Sequence, residues 1–429
     1  MRKVLIITYY WPPSGGSGVQ RWLKFTKHLP DFGWSPIIFT PENPSFEVKD
    51  QSLLKDISTE VEVIKLPIWE PLHLVSKIKG KGKQQSDLVK KDGKSLMDKL
   101  MLWTRGNLFI PDPRKYWVRP AVEMLKDIIV SNSVDVIITT GPPHSMHLIG
   151  LRLKRELGVK WLADFRDPWT RWDLLDTFYL TRWALKRHRN LERKVLKNAD
   201  SLITVSNHYG KDFEQLSERD VAVITNGYEK EDFESYKDIK PEKDFVIRHV
   251  GLVDELRDPS PFLEAFHELL LESEEWRDVR IEFIGNVNQA FKTMVADNPH
   301  LRQQVSFKPY VPHKEVLMLY KKSSVLLLVL AHSQNAQGNI PGKLFEYLAA
   351  ERPILGIGDP MGDSASIIAG SNAGKVCDPT DKESMKEALT LLFQRSGVGF
   401  DLSDIERYSR RKLTEQLATK LNDLIEPEC

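Results

Sequence analysis

Lys343 and Glu346 stand three residues apart in N-I-P-G-K-L-F-E-Y-L-A-A-E-R-P-I-L-G-I, residues 339–357, a spacing that puts an ammonium and a carboxylate on one helix face. Pro341 suits a first helical turn, where its missing N–H costs nothing. A cation in that turn faces the positive end of the helix dipole, which is mildly unfavourable. An anion ahead of the turn reverses the sign, because free N–H groups and the ammonium then converge on it. A ligand carrying both phosphate and hydroxyl groups, such as a nucleotide with its ribose, suits the pair. The competing reading is a surface ion pair.

Three other stretches hold candidate residues. Y-Y-W-P-P-S-G-G-S-G, residues 9–18, lies between a strand and a helix, a phosphate-loop layout. Its glycines do not match G-x-G-x-x-G, so a tight turn competes. T-G-P-P-H-S sets His144 just past a strand, as polar lining or as a structural histidine. D-F-R-D-P-W, residues 164–169, offers Arg166, Asp167 and Trp169, with a structural ion pair as the alternative. Asp164 and Asp167 are spaced D-x-x-D, and no D-x-D motif stands at a strand end. The chain has no G-x-S-x-G elbow and no H-E-x-x-H.

The elements that must position these residues alternate. Strands are expected at 3–8, 36–40, 61–66, 134–139, 160–163, 199–206 and 221–224, with helices at 19–29, 118–130 and 146–157. Residues 107–117, broken by proline, read as a loop. After a charged, aperiodic linker at 229–244, strands follow at 245–250, 280–284, 305–308 and 325–330, with helices at 261–271 and 384–393. Leu344, Phe345 and Leu348 mark the helix after the fourth of these, and Pro353 ends it before a strand at Ile354. Val325–Leu330 is continuously apolar, as in a parallel sheet covered on both faces. Strands alternating with helices call for parallel α/β sheets, whose ligands bind at the carboxyl edge. Ser403-Asp404-Ile405-Glu406 reads as a capping box opening a last helix with a Leu413, Leu417, Leu421 and Leu424 stripe.

Composition narrows the class. The chain has 429 residues, 41% hydrophobic and 28% charged, ordinary for a soluble globular protein of two or three domains. A net charge of +1 gives no field pointing to nucleic acid. Cys377 and Cys429 are the only cysteines, too few for a disulfide framework or a zinc site. The N-terminus has no leader-like cleavage site, and no run approaches the roughly 20 apolar residues of a membrane span. A cytoplasmic protein is expected. Ser76–Lys99 is rich in lysine and precedes Leu100, Met101, Leu102 and Trp103. It reads as a solvated loop or as a contact with anionic lipid.

P-x-K-x-x-E-Y-L-A followed by R-P-I-L resembles the nucleotide-sugar signature of family 4 glycosyltransferases, retaining enzymes of the GT-B fold. A-D-S-L-I-T-V-S and I-T-N-G-Y-E-K-E-D-F resemble the end of that family's N-terminal domain. The resemblance implies an α/β protein of two Rossmann-like parallel-sheet domains facing a central cleft. Residues 1–235 would bind acceptor and 236–402 the nucleotide sugar, with the helix at 403–429 crossing back to the first domain. It implies a retaining transfer from a nucleotide-sugar donor to a saccharide or lipid-linked saccharide acceptor in surface glycan biosynthesis. Glu346 would hold the ribose, and Lys343 would contact the diphosphate with Gly251 and Arg257. The pair of cations would neutralise the departing diphosphate, with no metal or other cofactor. Gly15 and Gly16 would let backbone approach the donor sugar. The family's usual first Glu falls here at Gly338, so that contact would pass to backbone N–H groups of Gly338, Asn339 and Ile340. His144, Arg166, Asp167 and Trp169 would line the acceptor side. An inactive GT-B binding module and a Rossmann oxidoreductase are the rival readings.

Overall fold

A computed structural model describes residues 1–46, 48–71, 96–333, 335–395, 402 and 404–426. It divides into two compact units, residues 1–225 with 410–429, and residues 226–409.

In unit 1, strands β1 (Arg2–Ile7), β2 (Trp34–Pro41), β3 (Glu62–Leu66), β4 (Val136–Gly141), β5 (Lys160–Phe165), β6 (Ser201–Thr204) and β7 (Ala222–Val223) form a sheet in the order β3-β2-β1-β4-β5-β6-β7. Every pairing is parallel. β1, β4 and β5 are almost wholly buried, which is why they read as apolar runs rather than alternating ones. The helices are α1 (Ser17–His28), α2 (Leu96–Leu108), α3 (Val118–Ser131), α4 (Ser145–Leu157), α5 (Arg182–Asn198) and α6 (Asn207–Ser217). One face of the sheet packs on Val122, Leu125, Ile149 and Leu153. The other packs on Val19, Trp22 and Leu23 together with Leu413, Leu417 and Leu421 from the far end of the chain.

Unit 2 has helices α7 (Glu231–Glu234), α8 (Ser260–Glu272), α9 (Gln289–Asp297), α10 (Leu301–Gln304), α11 (His313–Lys322), α12 (Lys343–Ala349), α13 (Asp363–Gly370) and α14 (Lys382–Gln394). Its sheet runs β10-β9-β8-β11-β12-β13, from β8 (Val246–Val250), β9 (Arg280–Ile284), β10 (Val305–Lys308), β11 (Val325–Val329), β12 (Ile354–Ile357) and β13 (Gly374–Cys377), again all parallel. Helix α15 (Arg410–Ile425) belongs to unit 1.

The order reverses between β1 and β4 in unit 1 and between β8 and β11 in unit 2. At such switch points the loops leaving the carboxyl ends diverge and leave a crevice. The Tyr9–Gly18 and Gly141–Ser145 loops flank the first, and the loops after Val250 and Val329 flank the second.

Several boundaries differ from the sequence reading. Unit 1 ends at Thr225, not at 235, because Tyr228 and Phe233 are buried in the core of unit 2 and α7 occupies the expected linker. Residues 107 and 108 extend α2 rather than starting a loop, and the helix has its own small core of Leu102 against Leu175 and Phe178. The last helix begins at Arg410, not at 403. Asp404 takes a left-handed conformation, which cannot continue a helix, and a 3-10 turn at Ile405–Tyr408 intervenes. Ser403 and the lysines from Lys77 to Lys94 lie outside the described residues. No helix among the described residues is long and apolar enough to cross a membrane.

Candidate functional site

In unit 2, β8 ends at Val250 and the chain turns at Gly251 with φ +142°, a conformation that L side chains rarely adopt. A Cβ there would lie 3.2 Å from Lys343 Nζ, so glycine is what lets the loop and the lysine meet. Lys343 Nζ donates to the Val250 carbonyl at 3.1 Å. Burial, with Arg257 adding to it and Glu346 opposing both, brings its pKa down to about 7. Arg257 is held in place by Asp254, which takes its Nη1 at 3.1 Å and its backbone N–H at 2.9 Å.

Glu346 lies one turn along α12. His313 Nε2 meets its Oε1 at 2.9 Å, and the Tyr320 hydroxyl also hydrogen-bonds it. Below the junction, His249 Nδ1 donates to the Leu327 carbonyl at 3.1 Å, which leaves the lone pair on Nε2. That nitrogen is buried without a hydrogen-bond partner, 3.7 Å from the Cβ position of Gly251. Burial and the neighbouring Lys343 hold the imidazole neutral.

The Gly338 region is a 3-10 turn, Ala336–Gly338. The N–H of Gly338 donates to Asn335 at 3.2 Å, and that of Asn339 to Ala336 at 3.2 Å. Two of the three N–H groups expected to face a ligand are therefore spent inside the turn. Ile340 makes no backbone hydrogen bond through its N–H among the described residues.

In unit 1 the organising group is Asp164, fully buried at the end of β5. It accepts from Arg21 Nε at 3.3 Å, Arg21 Nη2 at 3.1 Å, Trp22 Nε1 at 2.9 Å and Thr140 Oγ1 at 2.8 Å. Arg21 also reaches the Thr225 carbonyl at 2.9 Å. The network ties α1 to the ends of β4 and β5.

Arg166, two residues on, donates to the Gly18 carbonyl at 3.2 Å and to the Pro142 carbonyl, and lies over the Tyr10 ring. It thereby joins the glycine loop to the Gly141–Ser145 loop. Asp167 is half-buried, and burial raises its pKa against the pull of Arg166. Among the described residues no hydrogen bond reaches its carboxylate.

His144 stacks on Trp169 with centroids 4.9 Å apart and planes at 4°. Its Nδ1 is buried and unpartnered, and burial holds the ring neutral. Trp169 is itself core, donating through Nε1 to His188 at 3.1 Å. It backs His144 and offers no exposed edge. Gly16 takes φ +86° at the start of α1 with open space around its Cβ position, whereas a Cβ on Gly15 would strike Val48 at 2.8 Å.

Two family models match the chain. Glycosyltransferase Family 4 matches residues 90–232, and Glycosyl transferases group 1 matches residues 230–411. The chain is a family 4 glycosyltransferase. No curated protein matches it. Its two parallel-sheet units share the GT-B fold of solved structures. A sucrose-phosphate synthase from Thermosynechococcus elongatus superposes with a TM-score of 0.63 at 13% identity, over 99% of each chain. A glycosyltransferase from Rickettsia africae ESF-5 also gives 0.63 at 13%, over 100% of this chain and 99% of its own. The lipopolysaccharide outer core galactosyltransferase WaaB gives 0.56 at 14%, over 99% of each.

Within this glycosyltransferase, the fold gathers Gly251, Arg257, Lys343 and Glu346 in unit 2, and Gly15, Gly16, His144, Arg166 and Asp167 around the unit 1 switch point. Sequence reasoning missed His249, His313 and Arg21, and saw Asp164 only as half of a D-x-x-D spacing. A signal existed for two of them. His249 is a polar residue inside the apolar strand V-I-R-H-V, and Arg21 stands on the face of α1 that otherwise buries Trp22 and Phe25. Nothing in the sequence marks His313 as a neighbour of Glu346.

Proposed function

We propose that the glycosyltransferase moves a sugar, with retention, from a nucleotide-sugar donor held by unit 2 to a saccharide or lipid-linked saccharide held by unit 1. The observation that carries this reading is the junction of Gly251, Lys343 and Arg257. Two cations converge on a loop where glycine leaves room, with Glu346 one turn away. A diphosphate offsets the crowding of Lys343 by Arg257, and a ribose supplies hydroxyls to Glu346. The acceptor hydroxyl attacks the anomeric carbon on the leaving group's face. The bond to the diphosphate oxygen breaks, and the hydroxyl proton passes to that departing phosphate. Lys343 and Arg257 stabilise the growing charge, and the reading assigns that work to them rather than to a metal ion. It names no protein nucleophile.

WaaB is a galactosyltransferase of the lipopolysaccharide outer core, which supports a surface glycan as the acceptor class here. On this reading the enzyme works in the cytoplasm at the inner membrane face. A thermal-shift screen against UDP-, GDP- and ADP-sugars tests the donor, followed by release of nucleoside diphosphate with a glycan acceptor. Stabilisation by none of the three overturns the assignment. A second reading, an inactive module that binds nucleotide sugar, is favoured by the turn at Gly338, where no carboxylate stands and the N–H groups of Gly338 and Asn339 are already used. Stabilisation by a donor without any hydrolysis or transfer would establish that reading.

A further inference from the structure

Helix α11 brings two of its side chains to one carboxylate on α12. His313 and Tyr320 are two helical turns apart and so share a face. That face packs on α12, where Val316, Leu317 and Tyr320 share a core with Leu344, Tyr347 and Leu348. Beyond the end of α12, Lys321 Nζ donates to Glu351 at 2.8 Å, and Arg352 Nε donates to the Lys321 carbonyl at 2.8 Å. These bonds tie the last turn of α11 to the residues after α12. The register of α11 against Glu346 is thereby held from both the core and the far end.

Glu346 accepts from each of the two. His313 Nε2 lies 2.9 Å from Oε1 and, facing a carboxylate, carries the proton. The Tyr320 hydroxyl is the second donor. An imidazole–carboxylate pair as open as this one, with side chains 56% and 28% exposed, adds little to the fold by itself. Tyr320 is different. It is buried, and a buried hydroxyl left without a partner is costly, so its bond anchors Glu346. Behind Tyr320 stands Tyr347, edge-on with centroids 4.8 Å apart. The Tyr347 hydroxyl accepts from the Val250 N–H at 3.5 Å and donates to the Leu327 carbonyl at 3.4 Å. The support therefore ends at Val250, whose carbonyl holds Lys343.

A carboxylate has about four acceptor positions on its two oxygens. His313 and Tyr320 use two of them from the side of α11, and an adjacent pair of hydroxyls needs two. We propose that His313 and Tyr320 are positioning residues for Glu346, which fix its carboxylate so that it recognises both hydroxyls of a ribose and rejects a sugar that has lost one. The inference rests on the nucleotide-sugar reading of unit 2. Without these donors Glu346 would turn about its side-chain bonds and follow a single hydroxyl as readily as a pair. Ordering that long side chain would then count against binding. Neither residue belongs to the groups assigned to the departing diphosphate, so their loss should act on the ribose end of the ligand alone.

The test is calorimetry of the full chain with UDP, GDP and ADP, each beside its 2′-deoxy counterpart, and with inorganic pyrophosphate. The wild type is expected to prefer the ribonucleotide of the base it accepts by about threefold to tenfold, the worth of one hydrogen bond. His313→Ala should weaken that ribonucleotide by about the same factor and bring the preference close to one. Tyr320→Phe, which keeps the ring in its packing, should do likewise. Affinity for pyrophosphate, which has no ribose, should be unchanged in both variants. His313→Gln retains a side-chain N–H donor and should recover part of the preference.

A ribose preference that is the same in wild type, His313→Ala and Tyr320→Phe would overturn the proposal while leaving the donor reading intact. Loss of pyrophosphate affinity in step with ribonucleotide affinity would overturn it too, because the two residues would then support the whole site rather than one carboxylate. Binding of none of the three nucleotides to the wild type would overturn the donor reading itself, and this inference with it. The two failures are therefore told apart by the wild-type titrations alone.

Discussion

The two switch points hold buried charge in opposite ways. In unit 1, Asp164 and Arg21 satisfy each other, and Trp22, Thr140 and the Thr225 carbonyl take up their remaining valences. In unit 2, Lys343 sits on one carbonyl and beside Arg257, with His249 Nε2 unpartnered beneath. A saturated buried ion pair is architecture: nothing more can bind it, and its loss is felt in folding. A crowded cation facing a glycine loop is a site, because a ligand completes it. The difference teaches that charge alone does not mark function; unfilled valence does.

Four experiments break or sharpen that contrast. The largest effect is expected from Asp164→Ala. It leaves Arg21 buried without a counter-ion, and breaking such a pair costs about 3–5 kcal/mol. Chemical denaturation should show that loss, and a change under 1 kcal/mol would mean the network is not architectural. Lys343→Ala should act the other way round, costing the fold no stability at neutral pH, since it removes a buried cation, while turnover drops by about 10²–10³. If turnover stays near wild type, the diphosphate does not lie at Lys343.

The third concerns pH. Lys343 loses its proton near 7 in the folded protein and at about 10.5 when unfolded. Between these values the unfolded chain binds more protons, so this group makes stability rise with pH. Binding of a diphosphate runs oppositely, since the anion favours the ammonium. Affinity for nucleoside diphosphate should fall above pH 7 by at most about tenfold per unit. Lys343→Met should flatten both slopes. A slope unaltered in that variant assigns the titration to another group.

The smallest effect is expected from Glu346→Gln. An amide offers one acceptor oxygen where the carboxylate offers two, and a net hydrogen bond is worth about 0.5–1.5 kcal/mol, so affinity should drop by roughly tenfold at most. Calorimetry with a nucleoside diphosphate reads this directly. Identical affinity in both proteins would free Glu346 from the ribose and leave it as the partner of His313 and Tyr320.

How legible was this in the sequence? Periodicity and apolar runs determined the α/β class and most strands, because a strand buried on both faces must be apolar at every position, as in Val325–Val329. The spacing of Lys343 and Glu346 and the glycine at 251 were also local facts, set by the helix repeat and by backbone sterics. What the chain could not disclose was pairing across long separations. Asp164 meets Arg21 after 143 intervening steps, and His313 meets Glu346 only because α11 and α12 flank the same strand. The boundary at Thr225 was hidden for the same reason: a charged stretch looks like a linker until Tyr228 and Phe233 are seen in the core of unit 2. Residue types and local spacing fix what each segment tends to do. Only the tertiary structure decides which charges find partners and which are left for a ligand.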